Sequence, residues 1–352
     1  MFRMRSSAVA VWAGALLALP LFAQAPASEG PATAAAADEW RLVELEPKIH
    51  RTWKIRLPAE AWTAVENRVD LGEALGASFA TRISGTTLEV DTDGDGEFDA
   101  KVSGKAGFLT FKGEDSRYAM RLKNEGTWSF APSSSMQGEL GGARLRIIDQ
   151  NGNGRFDDVG GDAIVVGAGN NAAYLSTVVS VPEGLFEIQV APHGRSLLAR
   201  PYRGKAGRIA LDWDTAARPL QAVFVNADRT VSVDLADAGK EGLAVPAGEY
   251  VLAIGELGLA SSRVQVHRGR LESFDVPAGG TTKLPLGGPL TAEFGLQRGG
   301  GQIQFSPYDI SYFGRNGERY IGWQPDGKSP RIVIRVAKTG REIAEAYFPG
   351  SA

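Results

Sequence analysis

From Trp40 onward, apolar residues recur at every second position in short runs that glycine, proline, asparagine and aspartate interrupt. A period of two fits half-buried strands, whose successive side chains point to opposite faces, and not amphipathic helices. Leu88 and Val90 alternate with Thr87 and Glu89, and Phe98, Ala100 and Val102 alternate with Asp99 and Lys101. Val223-Phe224-Val225, Val231-Ser232-Val233, Val264-Gln265-Val266 and Ile332-Val333-Ile334 read as further strands. Asn316-Gly317 and Asp326-Gly327 read as hairpin turns, because such pairs tolerate positive φ. With 44 Gly and 18 Pro in 352 residues, many short strands are favoured over long helices. One helix is expected, around Ala59 to Asn67 after Pro58. The expected fold class is all-β: two or three small antiparallel β-sandwich-like domains after a cleaved signal peptide, with little helix.

Residues 1–25 read as a Sec-type signal peptide. Arg3 and Arg5 form a basic start, Ala8 to Phe22 an apolar stretch, and Ala23-Gln24-Ala25 a small-x-small cleavage site. The apolar stretch is broken at Pro20 and is shorter than the ~20 residues of a membrane span. Cleavage after Ala25 predicts a secreted or periplasmic chain with no membrane span, led by a flexible linker over 26–39. Glycine-rich breaks at Gly204-Lys205-Ala206-Gly207, Gly287-Gly288-Pro289 and Gly299-Gly300-Gly301 divide the remainder. The expected parts are a β-rich domain over 40–205, a β-sandwich over 206–295 and a C-terminal β-rich segment over 296–352. A formal charge of −3 without a basic block argues against nucleic acid as partner. Zero cysteines exclude disulfides, thiolate metal sites and thiol nucleophiles.

Two segments repeat. Asp91-Thr92-Asp93-Gly94-Asp95-Gly96-Glu97-Phe98-Asp99 matches Asp149-Gln150-Asn151-Gly152-Asn153-Gly154-Arg155-Phe156-Asp157 at five of nine positions. Oxygens at positions 1, 3 and 5 of such a loop converge when the backbone curls, and glycine at position 6 permits the sharp turn. Calcium, a hard cation, takes 6–8 oxygens at about 2.3–2.6 Å. The candidate ligands are Asp91, Asp93, Asp95 and Asp99, with the Glu97 carbonyl, and Asp149, Asn151, Asn153 and Asp157, with the Arg155 carbonyl. Both segments resemble the D-x-[DN]-x-[DN]-G calcium loops of EF-hand, dockerin and thrombospondin type 3 proteins. Unlike an EF-hand, these loops have Val102 and Gly160 at position 12, where a bidentate Glu belongs, and their flanks alternate like strands. Strand–loop–strand is therefore expected, with the missing ligand drawn from Asp99 in the first loop and from Asp157, Asp158 or Asp162 in the second. Phe98 and Phe156 are expected to point into the core as anchors. Two Ca2+ sites follow, with dissociation constants of roughly 10⁻⁴ to 10⁻³ M and the more acidic first loop the tighter.

Other signals are weaker. Gly167-Ala168-Gly169-Asn170-Asn171-Ala172 fits G-x-G-x-x-A, but strands rather than a helix are expected after it, so a glycine-rich turn is the reading. His50, His193 and His267 have no metal-pair spacing, and no G-x-S-x-G nucleophile elbow occurs. Val245-Pro246-Ala247-Gly248-Glu249-Tyr250, with Val276-Pro277-Ala278-Gly279 beyond it, resembles the transthyretin-like carboxypeptidase regulatory-like and PEGA sandwiches over about 206–290. That resemblance implies a non-catalytic accessory or adhesion module, and the Tyr250 hydroxyl is expected to tie to the backbone. Phe305, Tyr308, Tyr312, Phe313, Tyr320 and Trp323 crowd one segment; core packing is the first reading and glycan contact the second. The chain therefore reads as an exported, non-catalytic calcium-binding β protein of structural, adhesion or binding role. Its expected partners are calcium and a glycan or another surface protein. The alternative is a carbohydrate-binding accessory protein or a glycan-active enzyme using the aromatic segment and Asp212 or Asp214.

Overall fold

The computed structural model describes residues 39–114, 116–214, 217–259, 262–299, 302–322 and 331–347. Alternation becomes burial directly. In the strand Thr87–Val90, Leu88 and Val90 are buried while Thr87 and Glu89 are not, and Arg68–Leu71 alternates in the same way. The fold is nearly all β, arranged as several small sheets. The described residues hold one helix, the four-residue Gly72–Leu75, closed by Gly76 in the left-handed region at φ 77°.

Four sheets carry the first half of the chain. Arg68–Leu71, Ala77–Ser84, Thr87–Val90 and Ala100–Ser103 form a meander, and Thr63–Ala64, Trp128–Pro132, Arg117–Asn124 and Ala106–Lys112 form a second sheet. A five-stranded sheet runs Ala173–Tyr174, Ala163–Val166, Ala143–Ile148, Ser134–Leu140, Glu46–Ile49. The fourth sheet pairs Arg41–Glu44 with Ser196–Pro201, followed by Gly184–Val190 and Val178–Val181. Between them lies one apolar cluster that includes Phe79, Phe111, Tyr118, Trp128, Leu145 and Phe156.

The second half builds its own cluster around Ile209, Phe224, Tyr250, Leu284 and Tyr320. Ala206–Asp214 pairs antiparallel with Leu243–Pro246 and parallel with Thr281–Gly287, the one parallel strand pair among the described residues. A larger sheet contains Arg218–Asn226, Gly248–Leu259, Ser262–His267 and, beyond them, Arg319–Ile321, Gln302–Phe313 and Thr291–Gly299. Val178, from a strand of the first half, packs into this second cluster, and Asp38–Ala352 forms one compact unit. Tyr250 is buried and its hydroxyl donates to the Pro246 carbonyl at 2.9 Å, fixing the Pro-Ala-Gly turn that precedes its strand.

Two local expectations fail. The segment around Ala59 to Asn67 is not helical: Thr63–Ala64 is a strand against Ser129 and Phe130, and the Val65 N–H donates to the Trp128 carbonyl. Val65 is buried while Ala61, Thr63, Ala64 and Glu66 are exposed, so no helical face could pack there. Trp62 instead lies under the cations of Arg121 and Lys123. Phe98 is also not a core anchor. It is 39% exposed and covered by the Arg82 guanidinium 4.5 Å from its ring, whereas Phe156 is 0% exposed. The glycines 167 and 169 lie in a bend between strands with no helix after it, as a glycine-rich turn requires. Asn316-Gly317 turns the chain into Arg319–Ile321, with Gly317 at φ 87°. Asp326-Gly327 and Trp323 lie outside the described residues, as do the side chains of Phe305 and Tyr308.

Candidate metal centre

Both D-x-[DN]-x-[DN]-G segments bridge antiparallel neighbours. The first joins Thr87–Val90 to Ala100–Ser103, and the second joins Ala143–Ile148 to Ala163–Val166. Asp91 and Asp149 each follow the last residue of a strand, and each side chain turns under its own loop. Asp149 continues the inward alternation of Leu145 and Ile147, whereas Asp91 is out of phase with Leu88 and Val90 and is buried by the curl of the loop. Asp91 is 4% exposed and Asp149 is 0% exposed.

The two loops share one hydrogen-bond plan. Asp91 Oδ1 accepts the Gly94 N–H at 2.7 Å and Oδ2 the Gly96 N–H at 3.0 Å. Asp149 Oδ1 accepts the Gly152 N–H at 2.7 Å and Oδ2 the Gly154 N–H at 2.7 Å. At the fifth position, Asp95 and Asn153 each accept the N–H of the seventh residue, Glu97 or Arg155, at 2.8 Å. These bonds need both glycines of each loop to enter positive φ: Gly94 and Gly96 sit at 81° and 92°, Gly152 and Gly154 at 72° and 78°. A carboxylate that gathers backbone N–H groups curls the chain around it, and the remaining side-chain oxygens are left facing one another.

In the first loop this curl brings Asp91, Asp93 and Asp95 together, with one carboxylate oxygen of each within 4.8 Å of the others. Asp99 does not join them. Its two oxygens accept the N–H and hydroxyl of Thr92 at 2.8 and 2.7 Å, bonds that hold its carboxyl below the usual range and close the base of the loop. Glu97 is exposed.

The second loop is deeper and drawn tight by more partners. The Tyr118 hydroxyl donates to Asp149 Oδ2 at 2.8 Å, and Gln150 Nε2 donates to the Gly161 carbonyl at 2.6 Å. Arg155 turns outward to Asp157, at 3.1 and 2.9 Å, and to Glu73, so Asp157 is held by a cation. Asp158 turns inward, where its Oδ2 lies 2.9 Å from Asn151 Nδ2 and 2.6 Å from Asn153 Nδ2. Asp162 Oδ2 accepts the Asp158 N–H at 3.1 Å, while Asp162 Oδ1 is buried with no hydrogen-bond partner. Burial raises both interior carboxyls. Asp149 is pushed up to about 6 against the pull of its hydrogen-bond donors, and Asp162 to about 9 by burial and by the Asp149 charge. An orphaned acceptor beside a second carboxylate is costly unless a cation or proton satisfies it.

Sequence reasoning did not identify Tyr118 and Thr92. Tyr118 stands 31 residues from Asp149 and meets it only through sheet packing. Thr92 carried a faint local signal, since a threonine next to a loop carboxylate is a common turn-closing donor. Elsewhere, the Asp212 carboxylate pairs with Arg315 at 3.2 Å, and the Asp214 side chain lies outside the described residues. Tyr320 is buried with its hydroxyl on Glu318, and Tyr312 packs against the second cluster. Among the described residues, no helix is long and apolar enough to cross a membrane. No protein-family model, curated protein or solved structure matches the chain.

Proposed function

We propose that this chain is an exported, non-catalytic β protein whose two acidic loops are each clasped by calcium, in a structural, adhesion or binding role at the cell surface or in the periplasm. The observation that carries the reading is the convergence of Asp91, Asp93 and Asp95 within 4.8 Å. Three carboxylates at that distance repel one another, and a hard divalent cation with a preference for 6–8 oxygens relieves the repulsion. The second loop adds Asp149, Asp158 and Asp162 with the amides of Asn151 and Asn153, and the unpartnered Asp162 Oδ1 is an acceptor for the same ion. The resemblance of 206–290 to transthyretin-like accessory sandwiches points to the same non-catalytic role.

Thermal unfolding in chelator and in calcium tests it. With dissociation constants of roughly 10⁻⁴ to 10⁻³ M, 10 mM calcium should stabilise the fold by about 1.4 kcal/mol or more per site through mass action. Asp91→Ala with Asp95→Ala should remove one site's share. An unchanged melting temperature at 10 mM calcium, together with no heat on calorimetric titration, would refute the proposal.

A further inference from the structure

A cleft of about 720 Å³ opens where the five-stranded sheet and the Val178–Val181 strand face the second half of the chain. Its walls include Ile164, Val179 and Val181 of the first apolar cluster and Val233 of the second, where the two clusters border this space. What distinguishes it is the backbone that borders it.

Three strand edges reach the cleft with main-chain groups that no described residue pairs. The Ile188 N–H donates to the Thr177 carbonyl, which fixes the alternation of the Val178–Val181 hairpin: Val179 and Val181 bond to Gly184–Val190, and Ser180 turns its N–H and C=O outward. The Leu235 N–H on the Ala222 carbonyl fixes Ser232–Asp234 in the same way. Ser232 spends its outward groups on Ser176, and Asp234 keeps its own free. The Ala247 N–H on the Lys205 carbonyl leaves Ala244 outward on Leu243–Pro246. Ser180, Asp234 and Ala244 all line the cleft. Unpaired strand edges beside apolar side chains are the surface on which an extended peptide is added as a further strand.

The charges select the peptide. Arg144 is exposed at the cleft and has no ion pair or hydrogen bond to its guanidinium among the described residues, although Glu139 is its cross-strand neighbour. The Arg208 guanidinium donates to the carbonyls of Glu241 and Gly242 at 3.0 and 2.8 Å, bonds that leave its charge uncompensated. The Asp234 carboxylate is turned to the N–H groups of Ala222 and Ala236. We propose that the cleft binds an extended segment of a partner protein that pairs with the Ser180 edge, places alternate apolar side chains on the cleft floor and sets a carboxylate against Arg144 and Arg208. This site is independent of the calcium loops.

Panning a phage-displayed library of random decapeptides on the full chain, then measuring the enriched peptide by fluorescence anisotropy, tests this. Enriched sequences should alternate apolar residues and carry Asp or Glu. Arg144→Glu should weaken the enriched peptide about tenfold or more, and methylating alternate peptide nitrogens should do the same, since each removes a buried pairing interaction. The methylated peptide keeps the test independent of how any protein variant folds. No enriched sequence, enrichment without acidic residues, or binding indifferent to Arg144→Glu or to methylation would overturn the proposal. Binding of cis-parinaric acid in the cleft with no peptide enriched would overturn it in favour of a small amphipathic anion.

Discussion

Asp162→Asn is expected to stabilise the calcium-free protein at pH 7. The carboxyl ionises near 3.8 in an ordinary setting and is pushed up to about 9 in the fold, first by burial and then by the Asp149 charge. Folding below pH ~4 meets a protonated group in both states and loses nothing. As pH rises from there toward 9, the unfolded chain releases the proton while the folded chain keeps it, so stability declines through that window. At pH 7 the liability amounts to about 4 kcal/mol at most, at 1.36 kcal/mol per unit. Asparagine keeps an oxygen for the Asp158 N–H and carries no charge, but its amide brings donors of its own into a buried site. A net gain of about 2 kcal/mol, or roughly 4 °C in melting temperature, is therefore expected. Urea denaturation in chelator at pH 7 and pH 4 is the assay, and the gain should vanish at the lower pH. In 10 mM calcium the gap should narrow by about 1.4 kcal/mol or more, because only the wild-type carboxylate can serve as an anionic ligand. A variant no more stable than wild type at pH 7 without calcium, or a gain independent of pH, would refute the reasoning.

Other substitutions probe the loops and the turn. Phe156→Ala should cost about 3–5 kcal/mol in chemical denaturation and Phe98→Ala under about 1, because the first ring is buried and the second lies on the surface under Arg82. Tyr250→Phe should cost about 1–3 kcal/mol by leaving the Pro246 carbonyl without its donor, with no change in calcium response. Gly154→Ala should be worse than Gly96→Ala. Both force a side chain into the left-handed region at about 1–2 kcal/mol, but the methyl at 154 would also meet the Leu71 backbone at 3.0 Å, while position 96 is open. Equal melting temperatures for the two glycine variants would contradict the crowding argument.

The parts legible in the sequence were those governed by neighbours in the chain. Leu88 and Val90 announced their burial by spacing, and the Tyr250 hydroxyl bond spans four residues. The loop pattern was legible because an aspartate that caps its own turn needs only glycine three and five positions on. What stayed hidden depends on register between distant strands. Tyr118 reaches Asp149 because sheets stack, and nothing near either residue announces the other. Phe98 and Phe156 occupy the same place in the repeat, yet only the second lies beneath other sheets. The segment at Ala59 to Asn67 reads as a helix following Pro58, but pairing with Trp128–Pro132 overrides that preference.

The pairing of Arg41–Glu44 with Ser196–Pro201 has a consequence for how the chain is made. Val43 lies in that strand and packs against the first apolar cluster, yet the strand's only sheet neighbour among the described residues lies roughly 150 residues further on. A chain delivered amino-terminus first at about 5–20 residues per second would hold that strand without a neighbour for about 8–30 s. Through that interval the newborn segment offers a sticky ribbon to any other extended chain nearby, so a chaperone grip on residues 41–45 during biogenesis would protect the whole first half. Among the described residues, the earliest strand made is sealed by one of the last in its half.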